Sequence, residues 1–269
     1  MDRSVIDFNV RLRTIRIREL LVGIVLTLIL TGILTAIFPV LYESDDLFFI
    51  VLLLIGCLLF LWALKGSRGL ERNIEKIFED DNKKEILYVF AINILFAFLF
   101  MFIISSLDVL MGLNDPNWIS MWDVDTVNID SSVVILDAIG AIIFAPIIEE
   151  LIFRGILFNR LKIRVGIFAA MIISSFLFAI GHEFGGITSA FLFGMCMCLL
   201  YLKTDNILIP MSVHFINNVV ATILSVFSID IIMAQMPWLV PFLILSIIGT
   251  ILLIKYIIQE CRKIKKEYG

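Results

Sequence analysis

Residues 141–158 read AIIFAPIIEELIFRGILF. The surrounding apolar run, 131–160, is long enough to cross a bilayer, whose hydrocarbon core takes roughly 20 residues of helix, yet this stretch carries Glu149, Glu150 and Arg154. A charged side chain at the bilayer centre costs about 2.5–3.5 kcal/mol on insertion scales, so three in one span demand partners and a purpose. Helical spacing sorts them. Glu150 and Arg154 stand at i and i+4 with the acid first, the favourable order for an ion pair along a helix. Glu149 is turned about 100° from Glu150, and its own i+4 position holds Phe153. One carboxylate is neutralised on its own helix while the other faces elsewhere. A purely architectural network accounts for the pair but leaves the second carboxylate without a reason.

The rest of the chain has the same apolar character. Of its 269 residues 61% are hydrophobic and 17% charged, with a mean hydropathy of +1.04. Soluble domains carry roughly 45–50% apolar and about 25% charged residues, and a water-soluble fold has no interior large enough for this surplus. The net charge of −4 gives nucleic acid no electrostatic footprint to bind. No Gly/Pro-rich linker divides the chain, which reads as a single membrane domain over 1–269. The N-terminus, MDRSVIDFNVRLRTIRIREL, is charged throughout, and the apolar run behind it is too long for the core of a cleavable signal peptide.

Hydropathy predicts an all-α, polytopic membrane protein with about eight spans: 20–41, 46–64, 85–106, 131–160, 164–182, 186–202, 206–228 and 233–256. Pro146 should kink the fourth. The connection 65–84 reads as a polar or amphipathic surface helix, and 107–130 as an acidic connection without a single cation. With eight spans, all 21 Lys and Arg residues fall on one side: the arm from Arg3 to Arg18, the connection from Lys65 to Lys84, the turn from Arg154 to Arg164, Lys203, and the tail from Lys255 to Lys266. The positive-inside rule assigns that side, with both termini, to the cytoplasm.

The chain has only two histidines, and both lie in or at the edge of predicted spans. His182 has Phe178 one turn before it, and His214 has Asn218 one turn after it, with Asn217 alongside. Either histidine alone could be a helix-to-helix hydrogen bond; two such turns beside a paired glutamate favour a site. The residue types suit acyl chemistry, with a carboxylate or imidazole as base and neutral donors for a developing oxyanion. The cysteines suit packing instead. Cys196-x-Cys198 sits in an apolar segment far from Cys57 and Cys261, with no second pair or adjacent histidine to complete a zinc set.

Glu-Glu-x-x-x-Arg at 149–154, Phe-x-x-x-His at 178–182 and His-x-x-x-Asn at 214–218 together resemble the three motifs of the type II CAAX prenyl protease and bacteriocin-processing family (CPBP, or Abi). Order, spacing and placement on three separate membrane helices all agree. The resemblance covers the core helices, residues 131–228; residues 1–130 carry no motif, and 229–269 are a last span and basic tail. It implies an intramembrane endopeptidase of the cell membrane, with the lipid bilayer and a peptide or a prenylated or lipidated protein substrate as partners. In that reading Glu149 activates a water assisted by His182, His214 and Asn218 stabilise the oxyanion, and Glu150, Arg154 and Phe178 are supports.

Members of that family are described both as metalloproteases and as metal-free glutamate proteases. This chain has no His-Glu-x-x-His pair, so the expectation is no cofactor; the alternative is zinc held by Glu149, Glu150, His182 and His214. Two other functional readings keep the same fold: a non-enzymatic bacteriocin-immunity or regulatory membrane protein, and a proton-coupled transporter, which inverted repeats and broken helices would mark. Depth poses one conflict. At 1.5 Å per residue, His214 lies roughly 12 Å from the basic ends of the spans, Glu149 and Asn218 about 18–20 Å, and His182 about 27 Å, too deep for one compact site. Either the fifth span begins outside the hydrocarbon or the fourth is shifted at Pro146.

Overall fold

The structure, a computed structural model, describes residues 7–110, 135–136, 138–182, 186–233, 235 and 237–268. The expected acidic connection therefore lies outside the described residues from position 111 onward. Regular structure among the described residues is helical, apart from a lone bridge between Asp7 and Arg68. In chain order the helices are α1 (Phe8–Thr14), α2 (Ile17–Ile37), α3 (Val40–Glu43), α4 (Asp45–Ala63), α5 (Leu70–Ile77) and α6 (Asp80–Leu110). They continue with α7 (138–165), α8 (Ile167–Ala179), α9 (Ile187–Thr204), α10 (Leu208–Val226), α11 (Ile229–Met233) and α12 (Leu239–Tyr268).

Six of these, α2, α4, α6, α9, α10 and α12, are long and apolar enough to cross a membrane. Their outer faces carry leucine, isoleucine, valine and phenylalanine in the open; Val22 is 66% exposed and Ile251 60%. A water-soluble protein rarely tolerates continuous apolar surface of this kind. Hydrocarbon is the solvent these faces fit, and the chain is a polytopic all-α membrane protein. Three threonine hydroxyls of α2 follow the same logic. Thr27, Thr31 and Thr35 each donate to the carbonyl four residues back at 2.9 Å, so none enters lipid unsatisfied.

Two predicted spans depart from a simple crossing. The fourth, α7, is a segmented helix with π-helical turns at Gly140–Phe144 and Leu151–Phe158 on either side of an α-helical stretch, Ala145–Glu150. The fifth, α8, has only 13 residues. It begins after Gly166, whose φ of +82° sets the reversal, and it ends at Ala179, before His182. The predicted surface helix of 65–84 is the short amphipathic α5, which buries Asn73.

At the centre stands α9, where the run from Cys196 to Tyr201 is almost wholly buried, both cysteines included. Helices α6 and α12 pack tightly: a Cβ on Gly249 would fall 2.6 Å from Leu95 Cβ. Small residues that bring backbones together are the usual means of helix association in lipid.

Cation-bearing segments from four parts of the chain meet at one end of the bundle. Arg13 pairs with Asp205, Arg72 with Asp7 at 2.7 Å, and Lys203 with Glu85 at 2.6 Å. Arg160 Nε donates to the Ile15 carbonyl at 2.7 Å. The charged N-terminal arm is part of the core here. Leu12 is fully buried, and a Cβ on Gly155 of α7 would fall 2.5 Å from it. Asn9 Oδ1 accepts the Ile207 N–H at 3.3 Å.

Candidate active site

Proline shapes the helix that carries the site. Pro146 has no N–H to donate, and the π turn before it directs the Ala145 N–H to the Gly140 carbonyl. An α-helical turn would satisfy the Ala141 carbonyl from residue 145, and a π turn from residue 146; neither does so here. The donor comes from another helix: Asn218 Nδ2 on α10 lies 2.7 Å from the Ala141 oxygen. Asn217 Nδ2 donates to Asn218 Oδ1 at 3.4 Å. These two bonds orient the Asn218 amide and leave it one N–H to offer elsewhere.

The ion pair expected along the helix is present. Arg154 Nη1 donates to Glu150 Oε1 at 2.8 Å, and both side chains are fully buried. The same oxygen receives His214 Nδ1–H at 3.1 Å, which ties α10 to α7 across the bundle. Arg154 also lies over the Phe178 ring, with Cζ 4.4 Å from its centroid, so one face of the guanidinium meets π density.

Glu149 differs in every respect. Its side chain is 29% exposed, and His214 Nε2 stands 3.6 Å from Oε2, beyond a normal hydrogen bond. Glu149 thus stands beside the Glu150 network without a hydrogen bond into it.

Phe178 joins the remaining parts. Its ring is 4.7 Å from His182, 5.8 Å edge-on from His214 and 5.4 Å edge-on from Phe153, centroid to centroid. His182 is exposed, and Nδ1–H donates to the Phe178 carbonyl at 3.1 Å. When neutral, a ring in this tautomer presents Nε2 as an acceptor. Helix α8 has 13 residues and ends at Ala179, short of His182, whose N–H donates to the Ala179 carbonyl at 3.0 Å. The Phe178 ring, in contact with both histidines, is what brings His182 to the site.

The structure thus links Glu149, Glu150, Arg154 and His214 directly, brings His182 in through Phe178, and holds Asn218 on the same helix face as His214 but bonded to Ala141. Two contributors had little sequence signal. Phe193 stands 5.1 Å edge-on from His214, and it is one of 23 phenylalanines. Gly194 lets α9 approach; a Cβ there would fall 3.0 Å from Ser175 Cβ and 3.2 Å from Arg154 Nη2. A glycine within a predicted span was the available clue.

The zinc alternative asks for three converging ligands. Among the described residues no group of three His, Cys, Asp or Glu side chains is arranged to hold a metal ion. Glu150 Oε1 is already shared between Arg154 and His214.

Residues 131–220 match the family described as type II CAAX prenyl endopeptidase Rce1-like. That stretch contains all three motifs, so the resemblance drawn from them holds there. The chain is also similar to a Bacillus subtilis (strain 168) protein named "Putative membrane peptidase YdiL", 33% identical over 100 residues, which cover 34% of this chain and 41% of that relative. The chain therefore spans well under half the length of the curated relative it matches. No solved structure matches.

Proposed function

We propose that the protein is an intramembrane endopeptidase that hydrolyses a peptide bond in a lipid-modified or membrane-associated peptide. The observation carrying this reading is the inequality of two adjacent carboxylates. Glu150 is fully buried and its Oε1 takes both Arg154 and His214, while Glu149 beside it is partly open and 3.6 Å from an imidazole nitrogen. A structural network accounts for the first carboxylate; the role of base gives the second its reason. The family match over the motif-bearing residues and the likeness to a protein named as a membrane peptidase support the same class.

In this mechanism Glu149 removes a proton from water, with His182 Nε2 accepting a hydrogen bond from the same water. The hydroxide adds to the scissile carbonyl. The free N–H of Asn218 and the Nε2 side of His214 stabilise the resulting oxyanion. Donation by His214 requires a proton on Nε2, because Nδ1–H is committed to Glu150. Collapse of the tetrahedral intermediate then takes a proton from Glu149 to the leaving amine. No metal ion takes part. Eight crossings with both termini in the cytoplasm, in the cell membrane, complete the proposal; the meeting of four cation-bearing segments at one end supports a common side for them.

The test is a comparison of membrane-peptide termini between cells expressing the wild type and cells expressing Glu149→Gln at equal levels. New C-termini that appear only with the wild type, and that the purified protein reproduces in liposomes, support the reading. Indistinguishable termini in the two cell populations would overturn it.

A further inference from the structure

A cavity of about 1010 Å³ lies between α2, α4 and the site helix α7. It is separate from the candidate active site, since α7 contributes only Ile148, Ile152 and Ile156 to its wall. Its long sides are apolar, and its end at the start of α2 is lined by Arg11, Arg16, Arg18 and Glu19. Arg11 is partly committed, with Nε on the Ala63 carbonyl at 3.3 Å. Glu19 is turned to its own helix start, where it accepts the Arg16 backbone N–H at 2.9 Å. Arg16 and Arg18 are exposed, and among the described residues neither side chain forms an ion pair.

We propose that this cavity binds one anionic phospholipid, its headgroup on Arg16 and Arg18 and an acyl chain between α2, α4 and the reverse face of α7. Dimensions and chemistry coincide. Along α2 the lining runs from Arg18 to Leu28, about 15 Å, half the roughly 30 Å hydrocarbon core. Trp62, 76% exposed, lines the basic end, where an indole favours the membrane–water interface. Basic pockets between membrane helices recruit acidic headgroups. A soluble anion would use the arginines and leave the apolar walls empty; a zwitterionic lipid would fill the walls and set its own cation near the arginines. The bound lipid supplies packing that α2 otherwise lacks, for only 6% of its apolar window is buried in protein. The inference does not depend on the peptidase reading.

The test uses full-length protein in a mild neutral detergent, titrated with phosphatidylglycerol or phosphatidylcholine and followed by native mass spectrometry and melting temperature. Expected is a one-to-one phosphatidylglycerol adduct that raises the melting temperature, with phosphatidylcholine binding weakly. The double variant Arg16→Gln/Arg18→Gln should weaken phosphatidylglycerol on the order of 25-fold, about fivefold per arginine, with the lipid-free melting temperature unchanged. Gly23→Phe provides a second handle: Gly23 lines the cavity, and a Cβ there meets nothing within 4 Å. The added ring should block the adduct without a clash. Equal binding of the two lipids, undiminished phosphatidylglycerol preference in the arginine variant, an adduct that persists in Gly23→Phe, or the same stabilisation by inorganic phosphate alone would each overturn the proposal.

Discussion

Asn218 serves the Ala141 carbonyl, at 2.7 Å, in place of a backbone N–H that the site helix cannot provide. The arrangement follows from one proline. Pro146 removes a donor, the π turn redirects the Ala145 N–H to Gly140, and a polar side chain on a different span fills the resulting gap. In hydrocarbon an unsatisfied carbonyl is expensive, so this bond holds α10 against α7 and sets the direction in which the free N–H of Asn218 points.

A double-mutant cycle tests that link. Asn218→Ala should cost about 1–3 kcal/mol of stability by orphaning the carbonyl. In a Pro146→Ala background the new N–H can continue the π turn onto Ala141, and the cost of Asn218→Ala should fall. Thermal melting in detergent reads both. Costs that add to within about 0.5 kcal/mol would show the sites to be independent.

The two glutamates and the arginine are expected to separate activity from stability. Glu149→Gln should abolish turnover with a near wild-type melting temperature, since Glu149 makes no bond that the fold relies on. Arg154→Ala strands Glu150 in a fully buried position and should cost about 3–5 kcal/mol. Melting curves and proteolysis of the purified variants decide the matter. If Arg154→Ala melts like the wild type while Glu149→Gln collapses, the two roles are reversed.

Gly194→Ala should destabilise by about 1–3 kcal/mol and lower turnover, because its Cβ would press on Ser175 and Arg154 at 3.0 and 3.2 Å. Gly32→Ala is the control. Nothing lies within 4 Å of its Cβ, and alanine favours a helix interior over glycine, so this variant should melt at or above the wild-type temperature. Equal behaviour of the two would remove the close approach of α9 as a determinant of the site.

Protein purified without added metal is expected to contain no stoichiometric zinc and to keep its turnover after prolonged dialysis against chelator. Metal analysis together with the activity of the dialysed protein provides the check. Activity lost to chelator and restored by zinc would reassign Glu149, Glu150, His182 and His214 as ligands and leave Asn218 as the evident oxyanion donor.

Much of the architecture is written in composition and period. Apolar runs of span length can be buried only in lipid, and Glu150 must meet Arg154 because i and i+4 share a helix face. These are local or solvent-level constraints, and one chain read in order contains them. The unequal status of Glu149 and Glu150 is legible for the same reason, since about 100° of rotation separates neighbouring residues on any helix.

Other features depend on which helices become neighbours. Hydropathy runs the fifth span to His182, whereas α8 ends at Ala179. The bonds from His214 to Glu150 and from Asn218 to Ala141 join positions 64 and 77 residues apart, and no spacing rule reaches that far. Nor does any rule bury Leu12 of a charged arm against Gly155, or select Phe178 from the other aromatics to stand against both histidines and Arg154. Sequence determined which groups had to be satisfied within the membrane; the tertiary structure decided by whom, because a buried donor or acceptor takes whichever partner the packing of distant helices brings within reach.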